Sequence, residues 1–502
     1  MDDLLERILR APVYDVAIET PLDEAELLST RLGNRIWIKR EDLQPVFSFK
    51  LRGAYNRIQR LDARERAAGV VTASAGNHAQ GVALAATRLG IDARVVMPRT
   101  TPPIKIAAVE RLGGRAVLEG DSYDEAALLA REIESREGRV FVHPYDDIDV
   151  IAGQGTVGME ILRQHRGALD AIFVPVGGGG LVAGILAYVK RISPTTRVIG
   201  VEPDDAACLA AALAAGAPVD IGPVGLFADG VAVRKAGALP FEIVRGRIDE
   251  VVTVGIDEIC AAIRDIFDDT RSIAEPAGAL AVAGMKRWVA REGVRGATLV
   301  AVDSGANMNF DRLRHVAERA EIGEQREALL AVTIPERPGA FRSLCLILGD
   351  RLITEFNYRF GSAERAHVFV GVGLTGGRAQ LERVLSDLRD AGFGVVDMSG
   401  DEMAKLHVRF MVGGRASRAH ERLFRFEFPE RPGALTRFLD SVGGRWNISL
   451  FHYRNHGAAF GRVLAGLEVP PSDEAELARF LERLGHPWIE ETGNPATALF
   501  LV

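Results

Sequence analysis

The 502 residues exceed what one hydrophobic core can organise, so we predict about two to four domains. Apolar residues make up 47% and charged residues 26% of the chain, which is typical of a soluble globular protein. The formal net charge of −7 gives no basic surface for nucleic acid or anionic lipid, and three widely separated cysteines exclude a disulfide framework. Since no apolar segment with a cleavage site stands near residue 1, we expect a cytoplasmic protein without a nucleic-acid or membrane partner.

Short β-branched runs alternate with helical patterns between about residues 35 and 302. The runs are GVVTA (69–73), ARVVM (93–97), AIFVPV (171–176), RVIGVE (197–202) and ATLVAV (297–302). The intervening segments HAQGVALAATRLG (78–90) and DEAALLAREIESREG (124–138) carry apolar residues at helical spacing. Apolar runs without alternation favour parallel strands covered by helices on both faces. In such a sheet the ligand lies outside the carboxyl ends of the strands.

One uncharged stretch of 19 residues, between Asp170 and Lys190, is long enough to suggest a membrane span. It contains Pro175 and four consecutive glycines, which would break a helix exposed to lipid. We therefore predict a buried strand, a glycine loop and a helix in this stretch.

Lys50 lies among bulky apolar residues in the segment EDLQPVFSFKLRGAYNRI, at the predicted start of a helix. Partial desolvation would lower the pKa of its ammonium group and make the free amine available for a Schiff base. The alternative is a lysine whose stem packs on the core while its ammonium reaches water.

Three loops at predicted strand ends favour the chemical reading of this lysine. The run GVVTA is followed by Ser74, Ala75, Gly76, Asn77 and His78, a tight turn whose backbone N–H groups could bind a carboxylate. The run AIFVPV is followed by Gly177, Gly178, Gly179 and Gly180 at the start of a helix, a loop suited to a phosphate. The run ATLVAV is followed by a turn with Ser304 at its mouth. A carboxylate loop, a phosphate loop and a reactive lysine together indicate an amino acid that meets pyridoxal 5'-phosphate (PLP).

The glycine loop has a second interpretation. GGGLVA (178–183) satisfies the dinucleotide fingerprint G-x-G-x-x-A, and Glu202 stands about where an acid for the ribose would. A nicotinamide enzyme would leave Lys50 and the loop at residues 74–78 without a role, so we rank it below the PLP enzyme.

Beyond residue 310 the sequence repeats itself. LAVTIPERPGAF (330–341) returns as FRFEFPERPGAL (424–435), and ITEFNYR (353–359) returns as ISLFHYR (448–454). Such a repeat predicts two copies of one small unit, in which a strand is followed by a Pro-Gly turn, a helix and another strand. The two copies could bind a ligand, or they could serve only for oligomerisation.

With these residues in hand, the chain resembles the biosynthetic threonine dehydratases (threonine ammonia-lyases), which are fold-type II PLP enzymes. The matching segments occur in order along nearly the whole chain: KREDLQPVFSFKLRGAY, SAGNHAQG, PVGGGGL, AEPAGA, DSGANMNF, GEQREALLAVTIPE, EFPERPGAL and NISLFHYR. The resemblance implies an α/β catalytic domain of two subdomains, with parallel twisted sheets flanked by helices, at residues 1–315. It also implies a connector at 316–328 and two ACT-like α+β regulatory subdomains at 329–412 and 423–502.

The resemblance also implies residue roles. Lys50 would hold PLP as a Schiff base with Phe49 packed on the ring, and Asn77 would bind the ring hydroxyl. Gly177 to Gly180 would grip the phosphate, and Ser304 would face the ring nitrogen. The loop from Ser74 to His78, through Ala75, Gly76 and Asn77, would bind the substrate carboxylate, and Glu275 would lie near the ring.

Two departures from related enzymes narrow the prediction. Serine racemases place a second serine where this chain has Ala75, and its absence favours elimination over racemisation. In the racemase group a divalent cation binds beside the segment that matches VEPDDAACL. Because Cys208 replaces the corresponding acid here, we expect no metal site.

The predicted activity is deamination of L-threonine to 2-oxobutanoate in isoleucine biosynthesis. The resemblance implies a homotetramer that is inhibited by isoleucine, with valine opposing that inhibition. Tyr358 and Tyr453 occupy equivalent places in the two repeats and are candidate effector residues, although a tyrosine kept for packing would give the same pattern. The alternatives are a serine dehydratase, a threonine synthase or cysteine synthase, and a non-catalytic amino-acid sensor.

Overall fold

The structure is a computed structural model. It describes residues 2–335, 344, 347–349, 351, 353–359, 364–410, 420–429, 446, 448–454 and 460–501. The chain divides into two compact units, Met1–Ala320 and Glu321–Val502.

Helices and strands alternate through the first unit, as the sequence predicts. Its strands are β1 Leu22–Glu24, β2 Arg35–Arg40, β3 Val70–Ala73, β4 Ala93–Met97, β5 Arg115–Leu118, β6 Val140–Phe141, β7 Ala171–Pro175, β8 Arg197–Pro203, β9 Glu250–Val254 and β10 Thr298–Asp303. The helices that begin in it are α1 Asp2–Leu9, α2 Glu26–Leu32, α3 Lys50–Gln59, α4 Ala63–Ala68, α5 Asn77–Arg88, α6 Pro103–Arg111, α7 Tyr123–Glu137, α8 Ile148–Gln164, α9 Gly180–Ile192, α10 Cys208–Ala215, α11 Ala238–Val244, α12 Ile256–Thr270, α13 Pro276–Glu292 and α14 Arg312–Gly323.

Two sheets divide the first unit into two lobes. The strand order β5-β4-β3-β6, parallel throughout, forms the sheet of the small lobe, which we define as residues 63–141. The six-stranded order β1-β2-β10-β7-β8-β9 forms the large lobe together with the helices packed on it. Its strands are parallel except β1, which pairs antiparallel with β2. The parallel α/β architecture is therefore confirmed.

The central strands are hydrophobic on both faces because helices cover both. Every residue of β3, β7 and β10 is buried. Local signals set the helix boundaries: the Ser122 side chain caps the backbone N–H of Glu125 at the start of α7, and Gly138 ends that helix with a left-handed backbone. The ambiguous uncharged stretch forms β7, the glycine loop and α9, as predicted. No helix in the described part of the chain is both long and apolar enough to cross a membrane.

The second unit contains two sheets with the same strand order, which confirms the repeat. The first sheet, β12-β13-β11-β14, contains β11 Glu327–Pro335, β12 Ile353–Arg359, β13 Arg365–Gly373 and β14 Gly394–Asp397. The second, β16-β17-β15-β18, contains β15 Glu421–Pro429, β16 Ile448–Arg454, β17 Phe460–Glu468 and β18 Trp488–Glu490. Both are antiparallel. The associated helices are α15 Gly377–Asp390, α16 Glu402–Leu406, α17 Glu474–Arg483 and α18 Pro495–Phe500.

A hydrophobic cluster joins the two repeats of the second unit. Leu329 and Phe369 from the first repeat share it with Leu423, Leu464 and Phe500 from the second. The rings of Phe369 and Phe500 lie 5.6 Å apart between centroids, edge to face. The predicted Pro-Gly turns and most of the helices after them lie outside the described residues. The predicted connector at 316–328 stays a prediction.

Candidate active site

Lys50 is the first residue of α3, as the sequence predicts. Its Nζ donates a hydrogen bond of 2.9 Å to the carbonyl of Pro144 and lies 5.3 Å from the centroid of the Phe49 ring. Burial lowers the pKa of the Lys50 ammonium to about 8, against a smaller opposing effect of the Glu275 carboxyl. The free amine needed for a Schiff base is therefore accessible near neutral pH.

A buried ionic network fixes α3 two residues after this lysine. The Arg52 guanidinium binds Glu41 at 2.8 Å and Glu160 at 2.6 Å, and Lys39 binds Glu160 at 2.5 Å. All four of these side chains are fully buried, and Tyr14 donates to Glu160 at 2.8 Å. Because charges buried this deeply are tolerated only when paired, the network holds the start of α3 in one place.

The predicted carboxylate loop lies between β3 and α5. The backbone N–H of Gly76 donates to the Ser74 hydroxyl at 3.2 Å, and no side-chain cap is found for α5, so the first N–H groups of that helix remain for an anion. The Nε2 atom of His78 lies 2.9 Å from the Val142 carbonyl, so this side of the ring is engaged within the protein. Burial lowers the pKa of His78 to about 3, so its ring is neutral.

The predicted phosphate loop has no room for side chains. A Cβ at Gly177 would lie 2.9 Å from the Val231 backbone, and one at Gly178 would lie 2.2 Å from the Tyr145 ring. Gly179 has φ of +94°, and α9 starts at Gly180 without a side-chain cap. Backbone N–H groups at an uncapped helix start, approachable because no Cβ intervenes, fit the phosphate of PLP.

Polar side chains from three loops meet beside Lys50. Asn77 donates to Glu275 at 2.5 Å and accepts from Asn307 at 2.7 Å. Burial and, to a smaller extent, the nearby Asp229 carboxylate raise the pKa of Glu275 to about 7. Ser304 is buried and donates to the Ala277 carbonyl at 3.3 Å, while its own carbonyl accepts from the Phe49 N–H at 3.3 Å. The structure thus brings Phe49, Lys50, Asn77, Glu275 and Ser304 together.

Sequence reasoning missed Tyr145 and Asn307. Tyr145 belongs to HPYDD, which follows the two-residue strand β6, and its ring packs edge to face on His143 at 4.7 Å between centroids. The rule that ligands lie beyond strand ends could have found it, but β6 is too short to stand out as a strand. Asn307 follows Ser304 in a loop that was already identified, and no pattern marked its contact with Asn77.

Two other residues have structural partners. The Glu202 carboxylate accepts hydrogen bonds from the backbone N–H groups of Leu209 and Ala210 at 2.8 and 2.9 Å. It therefore caps the start of α10, which is a different role from the ribose binding that the dinucleotide interpretation requires. Burial raises the pKa of Glu202 to about 7. Cys208 lies 3.4 Å from the Gly177 carbonyl, next to the glycine loop.

The candidate effector residues lie at equivalent positions. In β12 and β16, Tyr358 pairs with Val368 and Tyr453 pairs with Val463. Their side chains are outside the described part of the structure, so their role stays a prediction.

Comparison with known proteins identifies both units. Residues 13–305 match the family of pyridoxal-phosphate dependent enzymes, and residues 318–408 and 412–501 match the C-terminal regulatory domain of threonine dehydratase. The chain is 55% identical to the L-threonine dehydratase biosynthetic IlvA of Burkholderia multivorans, over 99% of each chain. It is 53% identical to the Escherichia coli protein of the same name, over 99% of this chain and 97% of that protein.

A solved structure supports the same assignment. The processed form of threonine deaminase isoform 2 from Solanum lycopersicum shares 50% sequence identity, with a TM-score of 0.63 over 64% of this chain and 88% of that one. The family models and the near-complete coverage of the curated relatives agree with the geometry of the lysine and the two loops. The chain therefore belongs to the biosynthetic threonine dehydratases, PLP-dependent carbon–nitrogen lyases with a C-terminal regulatory domain.

Proposed function

We propose that this chain converts L-threonine to 2-oxobutanoate and ammonia, the first committed step of isoleucine biosynthesis. The observation that carries the proposal is the Lys50 amine at the start of α3, held by the Pro144 carbonyl beside a loop suited to a carboxylate and a loop suited to a phosphate. An amino acid and PLP together present those two anions.

In this proposal Lys50 would hold PLP covalently, with Phe49 beside the ring. Gly177 to Gly180 would hold the phosphate, Asn77 would be the partner of the ring hydroxyl, and Ser304 would be the partner of the ring nitrogen. When bound, PLP withdraws electrons from the Cα of the amino acid substrate.

The chain's own residues orient the substrate and move its protons. Backbone N–H groups of the loop at residues 74–78 bind the carboxylate and fix which bond of Cα can break. Once the substrate amine has taken the place of Lys50 on the cofactor, the freed neutral amine of Lys50 takes the Cα proton. Because the Ser304 hydroxyl would not protonate the ring nitrogen as a carboxylic acid would, charge at Cα would be only weakly stabilised, which favours prompt loss of the β-hydroxyl. The hydroxyl leaves as water with the proton that Lys50 holds, and the released enamine tautomerises and is hydrolysed to 2-oxobutanoate and ammonia.

The test is keto-acid formation by purified protein supplied with threonine, and with serine for comparison. Lys50→Ala should lose the visible absorbance of the bound cofactor and nearly all turnover, because only this amine can hold PLP covalently. A Lys50→Ala protein that stays yellow and active would refute the assignment. Cofactor absorbance without turnover of any amino acid in the unmodified protein would point to a sensor.

We also propose that the regulatory subdomains, at residues 329–412 and 423–502, bind isoleucine as inhibitor and valine as its antagonist. An effector can inhibit at a distance only if it binds one state of the enzyme better than another. Tyr358→Phe or Tyr453→Phe should weaken inhibition by isoleucine or its reversal by valine, with unchanged turnover in the absence of effector. Tyr188→Phe, in α9, is the matched loss of a phenol in the catalytic unit and should leave inhibition unchanged. Full inhibition in both regulatory variants would exclude these tyrosines.

We further propose a cytoplasmic homotetramer. The proposal rests on the resemblance to the family and on the two small sheets, since the edge strands of a sheet favour assembly. Light scattering of purified protein at micromolar concentration measures the subunit number, and a monomer or dimer would contradict it.

A further inference from the structure

A cluster of three charged side chains lies across the boundary between the two lobes of the catalytic unit. Lys105, on α6 of the small lobe, binds Asp229 of the large lobe with 2.6 Å between Nζ and Oδ2. Arg312, the first residue of α14, approaches the second oxygen of Asp229 at 3.4 Å and donates to the Leu226 carbonyl at 3.1 Å. The side chains of Lys105 and Asp229 are 17% and 36% exposed, so water screens this ion pair less than one on the open surface, although the pair is not fully buried.

The same boundary carries the hydrogen bond from Asn77, of the small lobe, to Glu275, of the large lobe. The segment that contains Asp229 lies directly against this pair. A Cβ on the next residue, Gly230, would lie 3.5 Å from Glu275 Oε1 and 3.8 Å from Asn77 Nδ2. The position of Asp229 therefore bears on a hydrogen bond that joins the two lobes, and one partner of that bond, Glu275, acts electrostatically on Lys50.

Electrostatics couples the two contacts as well. Burial raises the pKa of Glu275, the Asp229 carboxylate raises it further, and the charges of Lys105 and Arg312 lower it. Any movement that separates Lys105 from Asp229 thus changes the charge balance around Glu275 in addition to the spacing of the lobes.

We propose that Lys105, Asp229 and Arg312 form an interlobe latch, in which Asp229 is a positioning residue that holds the small lobe, and with it the carboxylate loop and Asn77, over the large lobe. The predicted effect of the latch on threonine turnover rests on the proposed function, whereas the contacts that form the latch do not. The physical reason for its effect is that the substrate loop at residues 74–78 belongs to the small lobe and the glycine loop at residues 177–180 to the large lobe. A substrate that is joined to the cofactor is therefore bound well only when the lobes are held together.

A double-mutant cycle tests the latch. Lys105→Met removes the cation but leaves Asp229 paired with Arg312, whereas Asp229→Asn removes the anion. Each should raise the KM for threonine about tenfold with kcat changed by less than about twofold, and the double variant should be no worse than either single variant. Lys105→Arg keeps the charge and should restore KM. Multiplicative effects in the double variant, or an unchanged KM in both single variants, would overturn the latch.

Asp124→Asn supplies the matched control. Asp124 of the small lobe binds Arg234 across the same boundary at 2.8 Å, but the two side chains are 62% and 45% exposed, so this ion pair contributes little. The control should keep the KM of the unmodified protein. A tenfold rise in the KM of this control would show that loss of any ion pair between the lobes weakens threonine binding, and it would refute a specific role for Asp229.

Amide hydrogen exchange gives a readout that does not depend on activity. In cofactor-free protein, Lys105→Met and Asp229→Asn should speed exchange in peptides covering residues 99–111, while the peptide covering β10 should be unchanged. Faster exchange in a protein that does not turn over threonine would support the latch and refute the proposed function. Unchanged exchange with normal turnover of the unmodified protein would refute the latch and leave the function standing.

Discussion

Alanine at Gly178 should weaken PLP binding without unfolding the protein. Its Cβ would lie 2.2 to 2.4 Å from three carbons of the Tyr145 ring, whereas ordinary van der Waals contact begins at 3.4 Å. The ring therefore has to move by about 1 Å or more. It is not free to do so, because it packs on His143 and the Tyr145 backbone N–H donates to that residue's Nδ1 at 3.3 Å. The glycine loop must shift instead.

Forced overpacking of this kind costs about 1 to 3 kcal/mol. Because the displaced backbone is the proposed phosphate site, we expect most of that cost in the free energy of cofactor binding. This corresponds to a dissociation constant for PLP that rises roughly 5- to 150-fold.

Spectrophotometric titration of cofactor-free protein with PLP measures the dissociation constant, and thermal unfolding of the same samples measures any loss of stability. Gly400→Ala is the control, since a Cβ there meets no atom within 4 Å. An unchanged dissociation constant for Gly178→Ala would show that the glycine loop does not hold the phosphate.

Three further predictions concern the residues around the lysine. Arg52→Met leaves the buried Glu41 without its guanidinium and Glu160 with Lys39 alone, and should lower the free energy of unfolding in urea by about 3 to 5 kcal/mol. Arg57→Met, which breaks a partly exposed ion pair, should cost only about 1 kcal/mol, and equal losses would refute the network. The rate at which cofactor-free protein takes up PLP should rise with pH and reach half its maximum near pH 8, because the neutral Lys50 amine is the reactive form; a half-point near 10.5, the ordinary lysine value, would contradict the effect of burial. Ser304→Asp should keep the fold but increase transamination relative to elimination, as measured by the ratio of amino-group transfer to keto-acid release; an unchanged ratio would refute the role of a neutral partner.

The sequence predicted the parts of this site that lie at the ends of clear strands. The loops after β3, β7 and β10 could be found because hydrophobic runs mark buried parallel strands, and chemistry in such sheets concentrates at their carboxyl ends. Tyr145 escaped because the strand before it has two residues. The pairing of Lys105 with Asp229, which lie 124 positions apart, follows from tertiary placement and leaves no local pattern.

The hydrophobic cluster shared by the two regulatory repeats has a consequence for protein engineering. Each repeat has a core of its own, but Phe500, in the last helix of the second repeat, packs on Phe369 in the sheet of the first, so each repeat also has an apolar face that the other covers. A chimaera that carries one repeat would expose an apolar sheet face and be prone to aggregate, whereas the pair can be transplanted as one cassette. For the same reason, an affinity tag fused directly after residue 501 would disturb the first repeat as well as the second, and a tag at the amino terminus avoids both.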